Sequence, residues 1–206
     1  MQFTEPNGDR GRCTGFLYDN ATVATAGHCV HTDHPDPDLD GWNTNYTITP
    51  PFMNSAYGTP QMREGCGVTA QWSVNGWAED GNSDFDYAAL QLNCRLSVGY
   101  FGMITQPGSY DGRWFSIYGY PTIKRPLYSM WWHHERVSDT KPHTVEYAID
   151  TSPGQSGAPV FQPLGHAYSA IAIHTTGSAR VGGHNSGAKI TPPRLENFAS
   201  WRTPTP

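Results

Sequence analysis

Three short segments of the chain carry side chains that together could activate a serine hydroxyl. They are T-A-G-H-C at residues 25–29, D-F-D-Y-A-A-L at residues 84–90 and S-P-G-Q-S-G-A-P-V at residues 152–160. His28 ends a run typical of a β-strand, while Asp86 and Ser156 each precede one. Each segment alone is a weak signal. Together, in the order His, Asp, Ser, they contain every group that nucleophilic catalysis by serine requires.

The chemistry explains why these residue types are needed together. A serine hydroxyl is a poor nucleophile until a base within hydrogen-bond reach takes its proton. Histidine titrates near neutral pH, so it can take that proton and return it to the leaving group. A carboxylate fixes the imidazole tautomer and stabilises the imidazolium. Gly154 allows a turn that directs its own N–H and that of Ser156 at one developing oxyanion.

Composition excludes several other classes of protein. The 206 residues include 22 glycines and 17 prolines, which disfavours a helical bundle. An aromatic content of 13% and a net charge of −5 disfavour disorder. Thirteen basic against eighteen acidic residues leave no basic surface for nucleic acid. Because no apolar run approaches the ~18 residues that a membrane span needs, we expect no membrane insertion.

Short alternating runs separated by turn residues predict an all-β barrel or sandwich. The runs are Thr22–Thr25, Tyr87–Leu92, Trp114–Tyr118, Thr144–Ile149, Ala158–Phe161 and Ala170–His174. One helix is predicted near the C-terminus, with Thr191 as its cap and Pro192 at its first position. The Gly- and Pro-rich passage Gly102–Gly112 predicts a boundary between two lobes.

The three segments resemble the catalytic blocks of chymotrypsin-fold serine proteases, and most closely those of the staphylococcal and bacillar glutamyl endopeptidases. Further similar motifs are C-T-G at 13–15, Y-G-Y-P at 118–121 and A-I-H-T at 172–175. The resemblance implies the trypsin-like serine protease fold, which is two antiparallel β-barrels with a C-terminal α-helix. It predicts an N-terminal lobe at 1–105 that carries the histidine and aspartate, and a C-terminal lobe at 106–206 that carries the serine and the specificity pocket.

The same resemblance implies a role for each site residue. His28 is the predicted base, Asp86 the orienting carboxylate and Ser156 the nucleophile, with the N–H groups of Gly154 and Ser156 as the oxyanion hole. Asp84 is the alternative carboxylate, but Asp86 directly precedes Y-A-A-L, as in the family's block.

The resemblance also implies cleavage after Glu, with Asp as an alternative. Thr151 and His174 are the predicted substrate-binding residues, and both can donate a hydrogen bond to a carboxylate. His184 is a further candidate in this region, although a loop position without a binding role is the preferred interpretation.

The four cysteines form an even set without a C-x-x-C pair, which favours two disulfides in an oxidising compartment. The resemblance implies that Cys13 pairs with Cys29, which leaves Cys66 to pair with Cys94. We therefore expect a secreted, extracellular protein. The first residues contain no apolar segment typical of a secretory leader, so a secreted protein would here be a processed or recombinant form without its leader.

Other features are given structural interpretations. The Asp36–Asp40 segment mimics the start of a calcium loop but lacks the required Glu, so a solvated acidic loop is expected. Trp131 and Trp132 are expected to pack in a core or a lobe interface. Asn20 and Asn45 begin glycosylation patterns that matter only in a eukaryotic secretory host.

The sequence thus predicts a monomeric serine endopeptidase that acts on proteins or peptides and requires neither cofactor nor metal. One alternative is a protease of the same fold with other or broad specificity. The second is a secreted binding module that kept the fold and lost the chemistry.

Overall fold

Pairing of short antiparallel strands organises the chain. A computed structural model describes residues 1–50, 65–125, 129–164, 167–177 and 183–202. Its strands are β1 (Gln2–Thr4), β2 (Arg10–Arg12), β3 (Phe16–Leu17), β4 (Thr22–Thr25), β5 (His31–Thr32), β6 (Gly41–Trp42), β7 (Thr44–Thr47), β8 (Val68–Ser73), β9 (Ala88–Leu92), β10 (Gly102–Met103), β11 (Trp114–Gly119), β12 (Trp131–Thr140), β13 (Thr144–Tyr147), β14 (Pro159–Leu164), β15 (Ala167–Thr176) and β16 (Asn185–Lys189). The α-helices are α1 (Asn75–Ala78) and α2 (Pro192–Ser200), and 3-10 turns cover Gly27–Cys29 and Ser83–Phe85.

The described residues of the N-terminal half form three antiparallel sheets. Their strand orders are β2-β1-β7, β3-β4-β9-β8 and β5-β6. β4 and β9 are neighbours, and Thr25 at the end of β4 lies opposite Ala88 at the start of β9. The turn that follows β4 and the turn that precedes β9 therefore lie at the same end of the sheet. This register places His28 beside Asp86.

The C-terminal half closes into a six-stranded barrel. Its order is β15-β14-β11-β12-β13-β16, and β16 returns to pair with β15. Alternate residues of these strands fill the interior with fully buried side chains, among them Phe115, Ile117, Val145 and Ile171. Closure leaves no free edge in this ring of described strands.

The predicted fold is confirmed in its main features, because each predicted run contains a strand and the predicted helix is α2. β10 was not predicted and pairs with β15 in parallel, unlike the other described pairs. The division at residues 105 and 106 stays a prediction. Neither α1 nor α2 is long and apolar enough to cross a membrane.

Two local predictions differ from the structure. Thr191 occupies the cap position of α2 but its side chain makes no capping hydrogen bond, so Pro192 at the helix start is the confirmed signal. The expectation that Trp131 and Trp132 pack in a core or a lobe interface was wrong, because Trp131 is 41% exposed and Trp132 is 64% exposed. They begin β12, most of whose residues are exposed to solvent.

Both predicted disulfides are present. Cys13 is bonded to Cys29 and Cys66 to Cys94, so no cysteine is free. The first disulfide joins the segment between β2 and β3 to the turn that carries His28. A cross-link closing a loop of this size contributes about 3 kcal/mol in the chain-entropy model.

Helix α2 fastens the segment around Asp86 through a buried arginine. The Arg194 guanidinium donates to three main-chain carbonyls, those of Asp84, His143 and Lys189. It also lies 4.8 Å from the centre of the Tyr87 ring, and the Tyr87 hydroxyl accepts a hydrogen bond from Asn197. Asp84, which lies in the turn before β9, and Tyr87, which directly follows Asp86, are thus held by the C-terminal helix.

We expect Arg194→Ala to lower the free energy of unfolding by about 3 kcal/mol, because three carbonyls lose a charged donor and the ring contact is lost. Urea denaturation of wild type and variant measures the difference. Arg10→Ala, at an exposed position of β2, is the matched control and should change the value by less than about 0.5 kcal/mol. Equal small effects of both substitutions would contradict this account.

Candidate active site

His28 and Asp86 form a doubly bonded pair in the N-terminal half. One Asp86 carboxylate oxygen lies 2.8 Å from His28 Nδ1, and the other accepts the main-chain N–H of His28 at 2.8 Å. Asp86 is almost completely buried, whereas a third of the His28 side chain is exposed. Since a carboxylate only accepts, Nδ1 carries the imidazole proton and Nε2 is the acceptor nitrogen. This is the tautomer that a general base needs.

The structure distinguishes between the two candidate carboxylates. Asp86 contacts His28, whereas Asp84 lies in the preceding 3-10 turn, where its N–H donates to Asn82 and its carbonyl accepts from Arg194. The Asn82 side chain caps that turn and thereby fixes where Asp86 follows it. Asp86, and not Asp84, is therefore brought to the histidine.

Ser156 lies in the connection between β13 and β14, whose residues 152–157 we call the serine loop. The main-chain carbonyl of Ser156 accepts from the N–H of Thr14 at 2.8 Å. Gly157 has φ +85°, and a Cβ built on it would lie 2.1 Å from both Thr14 O and Thr25 Oγ1. Only glycine fits there. The serine loop therefore packs directly against the end of β4, three residues before His28.

Two N–H groups of the serine loop are left for an external acceptor. The N–H of Gln155 donates to Ser152 O, and that of Gly157 donates to His174 O. The N–H groups of Gly154 and Ser156 donate to no acceptor within the described residues, although Gly154 is buried. Because buried N–H groups are nearly always paired, the unpaired N–H of buried Gly154, together with that of half-buried Ser156, indicates a site for a negatively charged oxygen.

His174 is buried, and its main-chain carbonyl accepts from Gly157 of the serine loop. Its ring is bonded to a tyrosine. The hydroxyl of Tyr147 lies 2.8 Å from His174 Nδ1, and both residues are almost fully buried. The phenol has no other hydrogen-bond partner in the described chain, and burial raises its pKa well above the ordinary value. Donation of its O–H to Nδ1 satisfies it, so the proton of the neutral imidazole lies on Nε2.

The charge of His174 is set by its surroundings. Burial, followed by the nearby charge of His28, lowers the pKa of His174 to about 4, while the Ser186 main chain and Asp86 act in the opposite direction. The influence of His28 and Asp86 indicates that this imidazole lies close to their pair. At neutral pH, His174 is an uncharged hydrogen-bond donor.

The remaining predicted pocket residues occupy different environments. Thr151 is half-buried directly before the serine loop, and its hydroxyl makes no hydrogen bond to another described residue. His184 is exposed, in agreement with the interpretation of its position as a plain loop.

Two residues at the site were missed by the sequence analysis. Tyr147 was read only as part of a strand, and no local pattern links it to His174, which is 27 residues away. Thr14 was noted in the C-T-G motif but given no role, although its hydroxyl donates to Gly154 O at 2.8 Å.

The sequence of the chain matches a known family of peptidases. Residues 13–168 match the model of the trypsin-like peptidase domain. The chain belongs to this family. The trypsin-like peptidase match covers all three segments that carry His28, Asp86 and Ser156.

Individual relatives are similar to most of the chain. The glutamyl endopeptidase of Bacillus licheniformis is 30% identical over 199 residues, which cover 93% of this chain and 60% of that protein. A Bacillus subtilis protein named extracellular metalloprotease is 34% identical over 196 residues, which cover 92% of this chain and 58% of that one. The chain thus spans about three fifths of the length of these two relatives.

A solved structure of a Glu endopeptidase in complex with MPD has the same fold. It superposes with a TM-score of 0.76 at 23% sequence identity, over 98% of this chain and 90% of that one. At this identity the likeness supports the trypsin-like fold of the chain.

The Bacillus subtilis relative is named a metalloprotease, which raises the question whether this chain has residues that fit a metal ion. Among the described residues, one group of three potential ligands has its atoms within 4.8 Å of one another, and it consists of Cys13, His28 and Cys29. The two sulfurs are joined in a disulfide, so neither is a thiolate that could bind a metal. These residues do not fit a resident metal ion.

The depressed pKa of His174 predicts a loss of stability in acid. The unfolded chain takes up a proton near pH 6.5, whereas the folded chain does so near pH 4, so the contribution of His174 is complete above pH 6.5 and is lost as the pH falls to about 4. The loss can reach about 3 kcal/mol. Urea denaturation between pH 7 and pH 4 measures it.

His174→Gln cannot titrate and should therefore show a shallower fall in stability than wild type. His184→Gln changes an exposed histidine and should keep the wild-type slope. If both variants lose stability with falling pH as wild type does, protonation of His174 does not cause the loss.

Proposed function

We propose that this chain is a serine endopeptidase in which Ser156 is the nucleophile, His28 the general base and Asp86 the residue that orients it. The observation that carries the proposal is the buried Asp86 carboxylate bonded to both His28 Nδ1 and the His28 main chain. This pairing holds the acceptor Nε2 in one tautomer and stabilises the imidazolium that forms on proton transfer. The two unpaired N–H groups of the serine loop support it.

Acylation follows from these groups. The Ser156 oxygen attacks the carbonyl carbon of the scissile peptide, its proton passes to His28 Nε2, and the carbonyl π electrons move onto oxygen. The resulting oxyanion is stabilised by the N–H groups of Gly154 and Ser156. When the tetrahedral intermediate collapses, the C–N bond breaks and the leaving amine takes the proton from Nε2. An ester to Ser156 remains.

Deacylation repeats the sequence with water. Nε2 takes a proton from the attacking water molecule, the new tetrahedral intermediate uses the same N–H groups, and its collapse breaks the ester bond. The proton returns to the Ser156 oxygen, and the carboxylic acid product leaves. No other group is consumed, so the cycle closes without a cofactor.

The preferred residue before the scissile bond is proposed to be Glu, with Asp as a weaker substrate. A buried carboxylate must receive hydrogen bonds. The neutral His174, whose Nδ1 is occupied by Tyr147, offers its Nε2–H, and the unbonded hydroxyl of Thr151 offers a second donor. The named activity of the Bacillus licheniformis relative supports the same preference.

The proposed setting is extracellular. Two disulfides and the name of the Bacillus subtilis relative support secretion, and we propose that the enzyme acts as a monomer on protein or peptide substrates. A protease of other specificity remains an outcome of the experiments below. So does an inactive binding module of the same fold.

We expect a serine-directed phosphonylating reagent to label Ser156 and abolish hydrolysis of a casein-like substrate. Ser116 is the matched control because its hydroxyl is also bonded to a histidine, with His134 Nδ1 at 3.0 Å. That pair has no carboxylate partner among the described contacts. Mass spectrometry of the labelled peptide identifies the site, and Ser116→Ala should label as wild type does. A folded protein that is neither labelled nor active would be the inactive module.

Asp86→Asn is expected to lower kcat by about 10⁴-fold, because the amide no longer selects the required tautomer of His28. Asp84→Asn, at the rival position, should leave kcat near the wild-type value. If Asp84→Asn lowers kcat strongly and Asp86→Asn does not, Asp84 is the orienting carboxylate and the assignment to Asp86 is wrong.

Peptides that differ only in the residue before the scissile bond test the preference. We expect Glu to give the highest kcat/KM, and His174→Ala to lower it about 100-fold for Glu while changing the value for other residues much less. Tyr147→Phe should have a smaller effect in the same direction, since only the anchor of His174 is lost. His184→Ala is the control. Cleavage mainly after Lys, Arg or aromatic residues would contradict the acidic preference but leave the protease mechanism standing.

A further inference from the structure

Two peptide groups of the serine loop are held by threonines that lie outside it. The carbonyl of Pro153 accepts from the Thr122 N–H at 2.8 Å and from the Thr122 hydroxyl at 3.1 Å. The carbonyl of Gly154, in the next peptide group, accepts from the Thr14 hydroxyl at 2.8 Å. Both peptide planes that meet at Gly154 are therefore fixed by contacts from other parts of the chain.

These contacts matter because a peptide group is planar, with its C=O and N–H pointing in opposite directions. The bond from Thr122 to the Pro153 carbonyl thus sets the direction of the Gly154 N–H. Gly154 itself has φ +95°, and glycine has no side chain to oppose rotation of either plane. Without outside anchors, the loop could turn its N–H groups away from the position of an oxyanion.

Thr14 is the better-connected of the two anchors. Its hydroxyl accepts from the Tyr120 N–H at 3.0 Å and donates to Gly154, while its own N–H donates to Ser156. Its carbonyl accepts from the Thr25 hydroxyl at 2.8 Å. A single residue of the N-terminal half therefore joins the end of β4 to the serine loop.

The direction of the Thr14 hydrogen bonds is fixed by chemistry. A main-chain N–H can only donate, so the hydroxyl must accept from Tyr120 and direct its own hydrogen at the Gly154 carbonyl. Thr14 is 2% exposed, so water does not readily replace these bonds. Loss of the hydroxyl would leave the Tyr120 N–H and the Gly154 carbonyl without their partner.

We propose that Thr14 is a positioning residue for the oxyanion hole. Its hydroxyl holds the Gly154–Gln155 peptide plane, which lies between the plane that carries the Gly154 N–H and the plane that carries the Ser156 N–H. Fixing this middle plane restricts the rotation of both neighbours and so keeps the two N–H groups directed at the developing oxyanion. It does not touch the substrate. The inference rests on the proposed function, since an oxyanion forms only when Ser156 attacks a carbonyl.

Thr14→Val tests the proposal because valine keeps the shape and removes the hydroxyl. We expect kcat to fall about 10- to 100-fold with KM changed by less than about 3-fold, since the lost interaction is made in the transition state. Thr14→Ser restores the hydroxyl and should recover most of kcat. Thr22→Val is the matched control, because Thr22 is fully buried in β4 and its side chain makes no hydrogen bond to the described serine loop.

A peptide aldehyde provides a second readout. Ser156 adds to its carbonyl to form a hemiacetal whose oxygen occupies the oxyanion hole, so its inhibition constant should rise in Thr14→Val by the same factor as kcat/KM falls. The aldehyde carries whichever residue wild type cleaves after best. Titration with the phosphonylating reagent corrects each rate for the fraction of active protein, and the acid limb of the pH profile should not move.

The outcomes separate the inference from the function on which it rests. Wild type that hydrolyses no peptide overturns the proposed function. An active wild type with an unaffected Thr14→Val overturns the role of Thr14 alone. A variant that loses thermal stability and raises KM, while its aldehyde inhibition constant stays at the wild-type value, reduces Thr14 to a structural residue and also overturns the proposal.

Discussion

The buried carboxylate of Asp86 imposes the constraint on which the site depends. A carboxylate removed from water must be given donors, and here both come from His28, one from its ring and one from its main chain. The two bonds fix the position and the orientation of the imidazole together. The paired ends of β4 and β9 make this possible, because they bring two short turns from distant parts of the chain to one end of a sheet.

The two imidazoles of the site show how burial and the bonded partner together change what a histidine can do. His28 is partly exposed and has a carboxylate, so its protonated form is stabilised by an opposite charge. His174 is enclosed and has a phenol, which bonds to the ring without compensating a charge. The first environment suits a group that gains and loses a proton in each cycle, and the second suits a group that holds its proton and donates a hydrogen bond.

Much of the fold could be predicted from the sequence because strand alternation and turn residues are local signals. The β4 run was predicted with its observed ends, and α2 was predicted from its Pro192 start. The choice of Asp86 over Asp84 rested on a motif, and the contact with His28 supports it. The bond from Thr14 to Gly154 spans 140 residues. Tyr147 and His174 lie on β13 and β15, which the described pairing joins through β16 between them. Neither contact has a local pattern.

The hydrogen bonds from α2 make the segment around Asp86 dependent on the C-terminal helix. Arg194 and Asn197 follow all the described strands in sequence, yet they hold Asp84 and Tyr87, on the two sides of Asp86. Without the docked helix, Asp84 and Tyr87 lack these hydrogen bonds and the Asp86 carboxylate lacks its outer support. The support of the segment around Asp86 is therefore complete only when the C-terminal helix has docked against it.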